Sequence, residues 1–150
     1  MLYDGIFEEI PLRFYSFTNY YLSSIQQGIQ PGHVVSEMFV KTPMLTKAAH
    51  ILRAWAEDHK TWVCLNGGNS ADLATLSEEL QDLAARLHLP FAAFREDEQS
   101  LNGALTSVGL IVPANVYELS AQWRATGQPT ELNTPEEQLA SLLGRYQLAK

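Results

Sequence analysis

The sequence predicts an α/β fold, a three-layer α/β/α arrangement with a mixed four-stranded sheet and a C-terminal helical extension. Two observations predict it. Residues 61–94 combine a short apolar run, a leucine stripe at helical spacing and a second apolar run, which is the pattern of a βαβ unit with parallel strands. Residues 95–104 leave too little chain for a helical return before the next apolar run, so we expect one strand to run antiparallel.

The first third of the chain predicts one strand and two helices. Residues 12–19 are rich in aromatic and β-branched side chains, which favour a strand. Apolar residues at helical spacing begin at residue 34, and this first helix should stop near Lys41, because a residue that precedes proline avoids the helical region. A second helix over residues 43–58 is indicated by an apolar stripe, namely Leu45, Ala48, Leu52 and Trp55.

The opening of the first helix has an unusual composition. Gly28, Pro31 and Gly32 stand close together, although interior glycine costs about 1 kcal/mol and interior proline about 3 kcal/mol relative to alanine. We therefore expect Pro31 to lie in the first turn, where its missing N–H has no partner to lose. We also expect another backbone or a ligand to approach the glycines closely. This junction, residues 24–39, is the first candidate site.

The middle of the chain predicts the rest of the sheet. Residues 61–65 form an apolar run, typical of a strand buried on both faces, which ends in the glycine-containing turn 66–69. The turn precedes a helix, so it is either a plain turn or an anion site at a helix N-terminus. Strands 91–94 and 105–112 follow that helix, which spans residues 71–87. Its apolar stripe consists of Leu73, Leu76, Leu80, Leu83 and Leu87.

Residues 114–150 form a helical extension of a single domain whose core covers about residues 12–113. One helix should follow Pro113, and the segment Thr134-Pro135-Glu136-Glu137 is a capping box with proline at the first helical position. The apolar face of this last helix packs on its own domain or on a partner. The sequence leaves both alternatives open.

Composition restricts the compartment and the partners. A net charge of -7 disfavours phosphate backbones except through a local basic patch, for which the candidates are Lys41, Lys47, Arg53 and Lys60. The acidic N-terminus lacks a basic signal region, and no apolar run is long enough to span a membrane, so we predict a cytoplasmic protein. The single cysteine, Cys64, excludes an internal disulfide and is expected to be a buried strand thiol.

Common motifs of phosphate-binding, metalloprotease and serine-hydrolase sites do not occur. The four histidines and one cysteine lack ligand spacing, so neither a metal nor a cofactor is expected. His33 stands near two amides, Gln26 and Gln30, and serves either a structural hydrogen bond or a ligand. Loop 95–103 follows a strand end and is either a solvated acidic loop or the source of a general base.

Together these segments resemble the type 2 peptidyl-tRNA hydrolase superfamily over about residues 12–113, and look closest to its divergent bacterial or phage members. In that family the first strand leads to a helix whose opening resembles Gly-Lys-x-Ala-x-Gln-x-x-His-Ala. Gln30 and His33 fall on the family's glutamine and histidine, whereas Gln26 stands in place of its lysine. The family's Arg-Asp-Ala-Gly-Arg-Thr loop and its threonine-rich strand ending in Gly-Pro are matched by residues 94–100 and 105–113.

The resemblance implies an enzyme that cleaves the ester between peptide and tRNA without a metal or cofactor. It implies that Glu96 or Asp97 positions the attacking water, while Ser100 and Thr106 bind the substrate carbonyl or ribose. The residues expected to bind and orient the substrate are Gln26, Gln30, His33 and Asn102. Peptidyl-tRNA is the implied partner, and a homodimer is the implied assembly.

A non-catalytic module on the same fold is the alternative. The family's lysine would stabilise a developing oxyanion, and Gln26 carries no charge. An acidic chain is also a weak ligand for tRNA. In this alternative, the helix opening and the acidic loop recognise a protein, a peptide or a nucleotide.

Overall fold

The computed structural model describes residues 10–96 and 103–149 and has the predicted α/β fold. Its four strands are β1 Leu12–Asn19, β2 Thr61–Gly68, β3 Phe91–Arg95 and β4 Leu105–Pro113. Its α-helices are α1 Ser24–Lys41, α2 Lys47–Ala54, α3 Ser70–Leu87, α4 Ala114–Thr126 and α5 Pro135–Leu143. One π-helical turn, Trp55–His59, continues α2. None of the described helices is both long and apolar enough to cross a bilayer.

The strands form one mixed sheet in the order β2-β1-β4-β3. Strand β1 pairs parallel with β2 and antiparallel with β4, and β4 is also antiparallel to β3. The short connection between β3 and β4 thus makes an antiparallel pair, which confirms the prediction from its length. The two central strands, β1 and β4, are buried over almost their whole length.

Strand β2 corrects one prediction, because it lies at the edge of the sheet and is not buried on both faces. Trp62 is 41% exposed, and Cys64 is only half-buried. The outer side of β2 is covered by the end of the chain. Asn66 donates its backbone N–H to the carbonyl of Gln147 at 2.8 Å, and Ala149 donates to the carbonyl of Cys64 at 2.9 Å.

Helices cover both faces of the sheet. On one face, the ring of Phe14 contacts the rings of Trp55 and Trp62 beneath α1 and the turn after α2. On the other face, Phe17 packs edge-on against Tyr146, alongside α3, α4 and α5. The predicted leucine stripe of α3 is buried at Leu73, Leu76, Leu80 and Leu83, and α5 buries Leu139, Leu142 and Leu143. The last helix therefore packs on its own domain.

Helix α1 begins earlier than its composition suggests. The hydroxyl of Ser23 accepts the backbone N–H of Gln26 at 3.2 Å and caps the helix. Pro31 is consequently interior and buried, so its prediction in the first turn is wrong. Apart from the adjacent residues and the backbone of α1 itself, no described atom lies within 4 Å of a Cβ built at Gly28, and the nearest to one at Gly32 is a Trp62 ring carbon at 4.0 Å. The glycines therefore do not accommodate another backbone, contrary to that part of the prediction.

Helix α2 starts later than predicted because Thr46 caps it. The Thr46 hydroxyl accepts the backbone N–H of Ala49 at 3.1 Å and donates to the carbonyl of Pro43 at 2.7 Å. Leu45, predicted on the apolar stripe, lies outside the helix and is 79% exposed. Its backbone has a positive φ of 66°, a conformation that is uncommon for a side chain of this size.

The turn before α3 is occupied by the chain's own carboxylate. Asn69 and Asp72 form a capping box, in which each side chain accepts the other's backbone N–H at 2.9 and 3.0 Å. The Asp72 carboxylate also lies against Gly68, which has a φ of +82°. These contacts favour the plain capped turn over the anion site.

Gly109 and Gly28 allow a matched test of this packing. A Cβ at Gly109 would lie 2.5 Å from a ring carbon of Phe14 and 2.9 Å from the Tyr15 carbonyl oxygen. We predict that Gly109→Ala lowers the free energy of unfolding by about 1–3 kcal/mol, because overpacking forces the neighbours apart. Gly28→Ala, in open space on α1, should raise it by up to about 1 kcal/mol. Urea unfolding measures both, and equal stability of the two variants would contradict the packing described here.

Candidate functional site

A buried polar cluster lies between α1 and the sheet. It consists of Gln30 on α1, Thr18 on β1, and Thr106 and Ser107 on β4. Each of the four is at most 4% exposed. Burying uncompensated polar groups is costly, so their hydrogen bonds decide whether the arrangement is stable.

A β-bulge in β4 brings Thr106 into this cluster. Ser107 pairs with Phe94, and Leu105 pairs with Arg95, so Thr106 is an extra residue without a partner on β3. Successive side chains of a regular strand point to opposite faces, whereas a bulge re-aims them. The Thr106 hydroxyl lies 3.3 Å from Gln30 Oε1 and 3.4 Å from the carbonyl oxygen of Phe94, and it serves as donor to them.

The amide of Gln30 continues the hydrogen-bond chain towards the surface. Gln30 Nε2 donates to Gln26 Oε1 at 2.8 Å, one helical turn earlier. Every bond in the chain runs in the same direction, from the Thr106 hydroxyl through Gln30 to Gln26. Gln26 is exposed, and its Nε2 donates to no group of the described residues. The chain therefore presents an amide donor to solvent, and cooperative polarisation strengthens such aligned bonds.

His33 joins the same helix to the end of β3. Its imidazole ring stacks on Phe94, with the ring centroids 4.4 Å apart and the planes inclined by 15°. Glu96 follows Phe94 by two residues and is half-buried, and its backbone N–H donates to Ala104 at 3.0 Å. The first helix, the end of β3 and the start of β4 thus meet at one end of the sheet. The remaining predicted site residues, Asp97, Ser100 and Asn102, lie outside the described residues.

Three hydroxyl-bearing residues of this region, two of them in the cluster, were not identified from the sequence. Thr18 and Ser107 share a hydrogen bond of 3.0 Å across β1 and β4. Ser16, two residues earlier on β1, buries its Oγ with no partner among the described residues. The sequence does contain a pattern that indicates them. Ser16 and Thr18 are two residues apart, which places two hydroxyl groups on one face of an otherwise aromatic strand.

The four predicted basic-patch residues are largely engaged on their own helices. Lys41 forms an ion pair of 3.0 Å with Glu37, and Arg53 forms one of 2.7 Å with Glu57. Lys60 donates to the backbone carbonyl of Glu57. Ion pairs between residues i and i+4 reduce the positive electrostatic potential that would attract a phosphate backbone.

The cluster offers neutral hydrogen-bonding groups, and Glu96 directly follows β3, the strand whose end borders them. Within residues 10–96 and 103–149, no three His, Cys, Asp or Glu side chains are grouped to hold a metal ion. Its hydroxyls are buried and bonded to each other or to Gln30, so within the described hydrogen-bond chain the exposed Gln26 amide is the group that a ligand can reach. Neither a protein-family model nor a curated protein matches the chain. The chemistry of the site is therefore argued from these residues.

The link between α1 and β4 can be measured as a coupling energy. We predict that Thr106→Val lowers the free energy of unfolding by about 1–3 kcal/mol, because it leaves the buried Gln30 oxygen without its donor. In combination with Gln30→Leu, the two effects should fall short of additivity by at least about 0.5 kcal/mol. Denaturant unfolding of the four proteins gives this number.

Thr75→Val is the matched control, since Thr75 is exposed and its hydroxyl bonds, among the described residues, to the Ala71 carbonyl of its own helix alone. It should change the stability by less than about 0.5 kcal/mol. Full additivity of Thr106→Val and Gln30→Leu would mean that the hydrogen bond between them contributes nothing.

Proposed function

We propose that the chain is a peptidyl-tRNA hydrolase-like protein that cleaves the ester between a peptide and tRNA. One observation carries the proposal. Gln30 and Thr106 are 76 positions apart in the sequence, and their side chains share a hydrogen bond in a buried cluster. Gln30 belongs to the helix opening and Thr106 to the threonine-rich strand, the two separate segments on which the family resemblance rests. The succession from β1 into α1, and from β3 into β4, also agrees with that resemblance.

The proposed reaction needs a positioned water and a stabilised oxyanion. Glu96 or Asp97 acts as the base that orients and deprotonates the water. Ser100 binds the ester carbonyl or the ribose, while Thr106, whose buried hydroxyl donates to Gln30 Oε1, orders the amides behind the substrate. In this proposal Gln26 donates its outward Nε2–H to the carbonyl oxygen as negative charge develops there, since its Oε1 is already bonded to Gln30.

The remaining polar side chains fix the substrate. Gln30 donates to Gln26 and so orients its amide, and Asn102 is a further substrate-binding residue in this proposal. His33, stacked on Phe94, borders the same end of the sheet. Such positioning groups raise the rate by reducing the entropy that the reactants lose on the way to the transition state.

This substrate has consequences for partner, compartment and assembly. With a net charge of -7, the chain gains little from tRNA phosphates, so the ester and the peptide supply most of the recognition. Because peptidyl-tRNA forms during translation, the proposal includes a cytoplasmic location, and the resemblance to divergent family members suggests a bacterial or phage source. The homodimer that the resemblance suggests is tested by light scattering of the purified chain.

A binding module without turnover is the second candidate, and Gln26 favours it. The carboxamide that replaces the family's lysine accepts a hydrogen bond from Gln30 and brings no positive charge. Losing one such electrostatic group typically costs about 100- to 1000-fold in rate. In this candidate, the same hydrogen-bond chain recognises a peptide, protein or nucleotide.

A turnover assay separates the two candidates. We predict that the chain releases free peptide from peptidyl-tRNA, and that Glu96→Ala or Asp97→Ala lowers the rate about 100-fold or more, because the water loses its base. Glu78→Ala is the matched control, an exposed carboxylate on α3 at the other face of the sheet, and should leave the rate unchanged. A wild-type rate equal to that of buffer would reject the enzyme and leave the module.

A charge-restoring variant tests the role of Gln26. We predict that Gln26→Lys increases hydrolysis about 10- to 100-fold, since an ammonium group stabilises an oxyanion better than a neutral amide does. Gln26→Met, of similar length without charge or donor, should lower the rate. If Gln26→Lys and Gln26→Met behave alike, this side chain does not contact the oxyanion.

A further inference from the structure

A polar cavity lies on the face of the sheet opposite the polar cluster. Its volume is ≈ 900 Å³, which lies within the range of about 300–1,000 Å³ that is typical of small-molecule sites. Its walls are α4, the strands β1 and β2, and the chain after α5. We call it the arginine cleft, after the polar side chains that line it, chiefly Arg13, Tyr15, Tyr117, Ser120, Arg124 and Arg145.

The charge of the arginine cleft is opposite to that of the chain. Acidic residues outnumber basic ones by 17 to 10, yet the lining contains three arginines and, among the described residues, no Asp or Glu. A concave surface lined by one sign of charge raises the local concentration of oppositely charged ligands. Two carboxylates border the cleft, Glu79 against Arg145 and Glu118 near Arg13, so three arginines face two described carboxylates and the cleft keeps an excess of positive charge.

Arg13 is held in a fixed orientation inside the cleft. Its guanidinium carbon lies 4.0 Å from the centre of the Tyr117 ring, and Nη1 donates to the Tyr15 hydroxyl at 3.4 Å. Among the described residues it has no carboxylate partner at ion-pair distance. Stacking on an aromatic ring orders the guanidinium plane and leaves its other N–H groups able to bind a ligand.

The two phenols around Arg13 support a cationic site. The hydrogen bond with Tyr15 raises the pKa of Arg13, which keeps its charge at every ordinary pH. Burial raises the pKa of Tyr117 despite the opposing effect of Arg13. The Tyr117 phenol therefore stays protonated and adds no negative charge beside the guanidinium.

The other two arginines are available as well. Arg124, in the last turn of α4, is exposed and forms no ion pair with the described residues. Arg145 faces Glu79 at 3.5 Å, and both side chains are at least half exposed. An exposed pair of this length contributes little, so a ligand with stronger charge displaces Glu79 readily.

The remaining wall is fixed by the end of the chain. The hydrogen bonds between β2 and residues 147–149 hold it in place, and the Tyr146 ring packs on Phe17 at 5.1 Å. Val63, Leu65 and Leu148 add apolar surface beside the arginines. The cleft thus combines a charged part with an apolar part of comparable extent.

We propose that the arginine cleft binds a phosphorylated small molecule of nucleotide size, with its phosphate groups on Arg13, Arg124 and Arg145. A guanidinium group can bind two phosphate oxygens at once. The positive charge of three arginines suits the negative charge of a diphosphate better than the single charge of a carboxylate ligand. The concave shape favours a small molecule over an extended nucleic acid, which the acidic remainder of the chain repels. This site lies across the sheet from the polar cluster and does not depend on the hydrolase proposal.

Calorimetric titration of the full chain with ADP and with pyrophosphate tests the proposal. We expect ADP to bind with a Kd below about 1 mM. Arg124→Gln or Arg13→Gln should raise this Kd about tenfold or more, because each removes charge-assisted hydrogen bonds. Arg124 is exposed, so its variant keeps the test valid even if Arg13→Gln fails to fold. Tighter binding of ADP than of pyrophosphate supports a nucleotide, and equal binding supports recognition of the phosphates alone.

Arg86→Gln is the matched control, an exposed arginine that pairs with Asp82 on α3, and it should bind ADP as the wild type does. Absence of ADP and pyrophosphate binding overturns the proposal. So does equal affinity in Arg124→Gln and Arg86→Gln. Binding of single-stranded RNA that Arg124→Gln abolishes, without ADP binding, would assign the cleft to a nucleic acid and would also overturn it.

Discussion

The bulge at Thr106 is the local feature on which the polar cluster depends. Without the extra residue, Thr106 and Ser107 would point to opposite faces of β4, and only one of them would meet α1. With it, one hydroxyl contacts Thr18 and the other contacts Gln30. The position of α1 over the sheet is thereby tied to a buried carboxamide, which has few alternative partners once it leaves water.

The edge position of β2 has an equally broad effect. A strand at the edge exposes backbone groups, and here the end of the chain pairs with them. That pairing brings residues 143–149 over the face that carries Arg13 and Tyr15, and it creates a concave surface there. The apolar residues 61–65 do not indicate an edge strand. Trp62 explains why, because this large apolar side chain packs on Phe14 and yet remains 41% exposed.

Much of the fold could be predicted, because periodicity and connection length are local properties. The stripe of α3, the capping box before α5 and the antiparallel β3–β4 pair all follow from short segments. Pro31 could not be placed in the same way. Its position depends on Ser23 capping the helix and on burial against the sheet, and burial offsets a local cost that sequence rules assign to the residue alone.

The polar cluster illustrates where sequence reasoning reaches its limit. Gln30 and Thr106 were identified as separate candidates, but a one-residue shift in register decides whether their side chains meet. The consequence is chemical as well as geometric. An amide chain that ends in the neutral donor of Gln26 acts through an aligned dipole, so its effect on an anion falls off faster with distance than that of an ammonium group. An anion therefore gains from this donor only when it lies in direct contact with Gln26.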